Sequence, residues 1–159
     1  IVIKMSEAYF GCDRMVSRPN VQVETVHIPK GIRSGTRLKV FDEGDTVMHA
    51  TVVIENSEDN MILDPDTGEL NYKVNVEYWE AILGCTREIQ VFDRKFKVKI
   101  PEMTQPGTRT VMRGKGWPIN GTDKFGDLYL LVMCDFPKAL DHDEKALLLQ
   151  IKDLHENVK

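Results

Sequence analysis

The chain has 159 residues, 42% of them hydrophobic and 29% charged, and carries a net charge of −4. This composition belongs to a soluble globular protein, and the acidic balance gives no support to a general nucleic-acid role. No apolar run approaches the roughly 20 residues of a membrane span.

The three cysteines, Cys12, Cys85 and Cys134, are odd in number and lack paired spacing. That argues against a disulfide framework, shows no zinc ribbon and points to a reducing compartment. The chain begins at Ile1 in mid-strand, without methionine or signal peptide, and reads as a fragment of a longer protein.

Ile1-Val2-Ile3 is a short apolar strand, and Ser6 to Phe10 is a helical turn stopped by Gly11. A strand over Arg14 to Arg18 ends at Pro19-Asn20. Val21 to Ile28 alternates with a phase slip near Thr25 that predicts a bulge. Leu38 and Val40 share a strand face, Gly44-Asp45 turns, and Thr51 to Ile54 closes a first unit, residues 1–56. The polar stretch 57–70 is expected to be a linker. Tyr72, Val74 and Val76 open a second unit, 71–138, in which Glu77 to Leu83 is again a short helix stopped by Gly84. Phe96, Val98 and Ile100 precede a Pro106-Gly107 turn, and Leu128 to Cys134 is a continuous apolar strand.

In the last segment, 139–159, Asp141 and Glu144 form a capping box. Leu147, Ile151, Leu154 and Val158 make one apolar stripe along the helix that follows. Such a stripe folds back on the second unit or meets a second chain.

The two units repeat one another at a period of about 70 residues, the size of a small domain. Glu7-Ala8-Tyr9-Phe10-Gly11-Cys12 answers Glu80-Ala81-Ile82-Leu83-Gly84-Cys85. Pro29 answers Pro101, Gly35-Thr36-Arg37 answers Gly107-Thr108-Arg109, and Gly44 answers Gly116. Basic residues gather between Arg87 and Lys115, among them Lys95, Lys97 and Lys99. They read either as a face for an acidic peptide or phosphate, or as solvated lysines that discourage edge pairing.

Three motifs carry a family resemblance: Lys99-Ile100-Pro101 with Pro106-Gly107-Thr108-Arg109, Arg113-Gly114-Lys115-Gly116-Trp117-Pro118, and Gly126-Asp127-Leu128-Tyr129. Together with Phe136-Pro137-Lys138-Ala139-Leu140, the pattern resembles the C-terminal substrate-binding and dimerisation region of DnaJ-type co-chaperones. Arg18-Pro19-Asn20 stands where many members insert a cysteine-rich zinc region, so the resemblance is to the zinc-free type or to one whose insertion was removed.

The resemblance implies a mainly β fold: two tandem β-sandwich or barrel-like subdomains, each with one short helix, then a C-terminal helix. It implies a cytoplasmic, non-enzymatic protein without cofactor or metal, and with no nucleic-acid or membrane partner. Such a protein binds unfolded or extended client polypeptides and hands them to the ATP-driven 70 kDa heat-shock chaperone. The His-Pro-Asp tripeptide that stimulates the partner's ATPase is absent from the sequence.

Carried over residue by residue, the client groove is lined by Ile1, Val16 and Val52, with Ile3 beside them; the alternative is that these residues are plain core. Arg14 matches a basic position that binds the partner's acidic C-terminal tail, and Arg18 stands next to it; the alternative is a solvated basic pair. Leu147, Ile151 and Leu154 are expected at a homodimer contact. Two other readings are weighed: a structural assembly module without client binding, and a thiol hydrolase built on Cys12 with His27 and Asp45. The equivalence of Cys12 and Cys85 in the repeat argues for packing instead.

Overall fold

The computed structural model describes residues 1–17, 23–43 and 46–157. The first unit comprises β1 (Val2–Lys4), α1 (Met5–Phe10), β2 (Cys12–Ser17), β3 (Val23–Ile28), β4 (Arg37–Glu43), β5 (Thr46–Thr51) and β6 (Val53–Glu55). The second comprises β7 (Met61–Leu63), β8 (Leu70–Glu77), α2 (Tyr78–Leu83), β9 (Cys85–Val91), β10 (Arg94–Ile100), β11 (Thr108–Met112) and β12 (Leu128–Asp135). The terminal helix α3 (His142–Asn157) follows. The fold is mainly β with open sheets, one short helix per unit and a helix at the end, as the repeat and the resemblance lead one to expect.

The sequence repeat is a structural repeat, register for register. β1 runs parallel to β6 with Val2 opposite Val53, and β8 runs parallel to β12 with Asn75 opposite Met133. The hairpins β2–β3 and β9–β10 pair Cys12 with Ile28 and Cys85 with Ile100. The Gly35 amide donates to the Val52 carbonyl at 2.7 Å, and the Gly107 amide donates to the Val132 carbonyl at 2.8 Å. The first unit interrupts at Val52 what the second builds as the single strand β12.

Gly11 and Gly84 end the short helices at φ +83° and +81°. A side chain at either would press on the carbonyl of Ile28 or Ile100, each 3.1 Å from the added carbon. Both the turn and the close approach therefore require glycine.

Three features depart from the sequence reading. The β2–β3 register runs without a slip; the irregularity lies instead in β4–β5, between Lys39 and Phe41. The alternation near Thr25 breaks because outward positions there carry mixed residue types, not because a residue is inserted. Within the 57–70 stretch, Met61 and Leu63 are buried and β7 pairs antiparallel with β8 as an edge strand of the second sheet. Lastly, the units are joined by an aromatic seam. Tyr9 of α1 stacks on Phe92 with ring centroids 4.4 Å apart and meets Trp117 edge-on at 5.8 Å. The Trp117 indole N–H donates to the Ile32 carbonyl at 3.3 Å. The Arg94 guanidinium lies 3.8 Å from the Phe125 ring centroid and donates to the carbonyls of Lys115 and Gly116. At φ +78°, Gly31 lets the first unit's backbone reach the Pro118 carbonyl, which any β-carbon would overlap. Units this small benefit from such mutual burial.

The capping box of α3 forms, with the Glu144 amide donating to Asp141 Oδ1 at 2.8 Å. None of the side chains of α3 is buried.

Candidate functional site

The predicted groove residues separate into two pairs. Ile3 and Val52 are 1% and 0% exposed and belong to the core. Ile1 and Val16 are half-buried and pack against that core from its margin. Ile3 and Val52 therefore present no surface to a ligand in this structure, which corrects their place in the groove.

The physical reason is the two-residue period of a strand. Ile3 and Val2 point to opposite faces, and the apolar surface of the first unit is the outward set. Val2 and Val53 sit directly opposite one another across β1–β6 and are 63% and 45% exposed. On the outer face of β2–β3, Met15 and Val23 are 78% and 60% exposed. Met15 lies opposite Thr25, which makes Val23 its diagonal neighbour on that face.

Local sequence pattern does not single out these four residues. Ile1-Val2-Ile3 and Val52-Val53-Ile54 are apolar at every position, so alternation cannot tell inside from outside. The second unit held the signal. Asn75 is the polar residue between Val74 and Val76 and is the counterpart of Val2, so Val2 marks an outward position.

The edges of the two sheets also differ. β8 is flanked by β12 on one side and β7 on the other, whereas β1 pairs with β6 alone among the described residues. Among the described residues, the outer edge of β1, beside the exposed Val2–Val53 pair, is thus without a strand.

Arg14 is engaged. Its guanidinium pairs with Glu7 of α1, and Arg87 pairs with Glu80 of α2 in the same arrangement. This repeated contact ties each short helix to its hairpin. Arg18 lies outside the described residues. Burial is the first cause that pushes the thiols of both Cys12 and Cys85 above their ordinary range, with the neighbouring carboxylates, Glu7 and Glu80, adding to it. A raised thiol is a poor nucleophile at neutral pH. His27 pairs with Asp13 at 2.8 Å rather than with Cys12, and Asp45 lies outside the described residues.

Leu147, Ile151 and Leu154 are all exposed on α3, so these positions of the stripe do not fold back on their own chain, and Val158 lies outside the described residues. At the foot of the helix, Leu148 joins Tyr78, Phe136, Pro137 and Leu140 around an apolar cavity of about 300 Å³. The turn at Asp64 closes on itself, its carboxylate accepting from the Asp66 amide at 2.8 Å and the Thr67 amide at 3.3 Å. Among the described residues, no cluster of three metal-ligating side chains occurs and no helix is long and apolar enough to cross a membrane.

Comparison with known proteins agrees with this architecture. The family described as the DnaJ C terminal domain matches residues 1–137. Chaperone protein dnaJ A6, chloroplastic, of Arabidopsis thaliana is 34% identical over 140 residues, covering 84% of this chain and 31% of that protein. Chaperone protein DnaJ of Thermoplasma volcanium is 34% identical over 141 residues, covering 85% and 38%. Chaperone protein DnaJ of Rhodopseudomonas palustris is 30% identical over 136 residues, covering 82% and 36%. The chain thus spans about a third of the length of these relatives. With its repeated hairpins and its Gly-Lys-Gly-Trp-Pro loop seated on the seam, the chain belongs to the DnaJ C-terminal domain family.

Proposed function

We propose that this chain is the client-holding part of a DnaJ-type co-chaperone. It binds unfolded, extended polypeptides on its first unit for delivery to the 70 kDa heat-shock chaperone, and pairs with a second copy through α3. The observation that carries this reading is the exposed Val2–Val53 pair beside the strandless edge of β1. An extended chain adding to that edge gains backbone hydrogen bonds, and its side chains cover the valines. Each aliphatic side chain fully buried contributes roughly 1.5–3 kcal/mol before ordering costs, with no demand on sequence. Ile1 and Val16 form the margin of this surface, while Ile3 and Val52 support it from within. Arg14 reaches an acidic tail only by sharing or leaving Glu7.

No covalent step is required of the chain, and the raised thiols of Cys12 and Cys85 fit a packing role. The family's members are named chaperones, which supports a binding role over an enzymatic one.

The test is suppression of aggregation of a denatured protein, with peptide affinity measured in parallel. Val2→Ser with Val53→Ser is expected to lower peptide affinity about tenfold, in line with two partly buried aliphatic contacts. An unchanged affinity sinks the proposed site. A chain that self-associates but binds no peptide favours the structural assembly reading, which the engaged Arg14 and the buried Ile3 and Val52 would suit. For the dimer, Leu147→Asp with Ile151→Asp should shift the sedimenting species to monomer; an unchanged mass removes α3 from the contact.

A further inference from the structure

The second unit carries an outward face that the client reading does not use. On β10, Lys95, Lys97 and Lys99 alternate with inward residues and are all exposed. Across the hairpin they face Gln90, Glu88 and Thr86 of β9. Three ammonium groups therefore share one carboxylate, and Glu88 reaches only Lys95, at 4.0 Å. β10 pairs with β9 alone, and among the described residues no backbone hydrogen bond joins it to any other segment.

Lysines on an edge strand also serve to prevent edge-to-edge pairing. The repeat tests that explanation. β3 is the counterpart of β10 and, among the described residues, likewise pairs only with its hairpin partner, yet its outward positions hold Val23, Thr25 and His27. The shared frame does not demand lysines at this edge.

We propose that the open edge of β10 is a docking strip for an acidic, extended segment of another polypeptide, with carboxylates at alternate positions. A strand added there sets its same-face side chains about 6.8 Å apart, the spacing of the lysines themselves. Each carboxylate then stands cross-strand to a lysine, about 4.5–5.5 Å away at the β-carbons. Lys97 and Lys99 carry most of the attraction, since Lys95 already has Glu88. A nucleic acid fits less well: the chain is acidic overall, and Phe96, the aromatic residue of this strand, is occupied by the cations of Arg94 and Lys115 at 5.2 and 4.9 Å. This strip is independent of the client surface on the first unit.

The experiment uses a fluorescently labelled peptide of alternating glutamate and valine and reads its anisotropy with the whole chain. Binding is expected to weaken as salt is raised, and to fall about fivefold with Lys97→Gln plus Lys99→Gln. A peptide of the same composition with its glutamates contiguous should bind more weakly, and alternate N-methylation of the backbone should abolish binding. The strip is overturned if the lysine variant binds unchanged, if the contiguous peptide binds as well, or if a single-stranded oligonucleotide displaces the peptide at equal concentration. Val2→Ser with Val53→Ser should leave this affinity unchanged, and a loss there would move the acidic peptide to the first unit. Aggregation suppression by the lysine variant is expected to be intact, so failure here and failure of the client reading are read separately.

Discussion

The two units are one frame presented twice with different outward residues. Inside, they agree closely: Gly11 and Gly84 turn the chain alike, Glu7–Arg14 and Glu80–Arg87 tie helix to hairpin alike, and Cys12 and Cys85 pack alike. Outside, they diverge at matched positions. Val2 opposite Val53 stands where the second unit has Asn75 opposite Met133, and Met15 and Val23 stand where it has Glu88 and Lys95. Among the described residues no strand covers the edge of β1, whereas β8 is covered by β7. Packing fixes the inward residues, while the outward ones are free to take on apolar contact in one copy and charge in the other.

The seam gives the sharpest test, because it breaks the symmetry of the frame. Tyr9 is buried against the second unit, whereas its counterpart Ile82 is half-exposed. Tyr9→Ala is expected to cost about 3–5 kcal/mol in denaturant unfolding, and Ile82→Ala less than about 1.5 kcal/mol. Equal losses would mean that the seam adds no stability. The Tyr9 hydroxyl is buried with no partner in good hydrogen-bond geometry, although Arg94 and Asp93 both act on it. Burial is the main reason its pKa is raised. Tyr9→Phe should therefore hold or gain stability, by up to about 1 kcal/mol.

The matched glycines predict the opposite outcome, equality. Gly11→Ala and Gly84→Ala both force a β-carbon into positive φ and against a carbonyl 3.1 Å away. Each should lower stability by about 1–3 kcal/mol. A loss at one site only would show that the two frames are not equivalent where their geometry says they are.

These comparisons also explain what could be read from the sequence. The repeat, the helix-stopping glycines and the Asp141 cap were legible because each rests on a local rule with few alternatives. The outward Val2–Val53 pair was not, because Ile1-Val2-Ile3 offers an apolar residue to both faces. Only the register against Val53 says which one looks out. The seam was equally hidden: nothing local to Tyr9 or Phe92 specifies that their rings stack across 83 positions of chain. The strand β7 was lost because Met61-Ile62-Leu63 is short and lies among turn residues.

The smallest effect concerns acid. α2 begins with a reciprocal cap in which the Glu80 carboxylate accepts from the Glu77 amide at 3.2 Å, while α1 begins at Lys4 with no side-chain cap. That backbone hydrogen bond, with Arg87 beside it, lowers the pKa of Glu80 below the ordinary glutamate value of 4.5. A carboxyl with a depressed folded-state pKa adds stability that is complete above the ordinary value. It is lost as pH falls through the folded-state value, because the unfolded chain takes up the proton first. Unfolding measured from neutrality down into this range should thus show a modest loss of stability that Glu80→Gln removes. Glu80→Gln should also be slightly less stable than the parent at neutral pH, with the two curves converging in acid. If they stay parallel throughout, the depressed carboxyl is not part of what holds α2 in place, and the cap that separates the second helix from the first carries no weight.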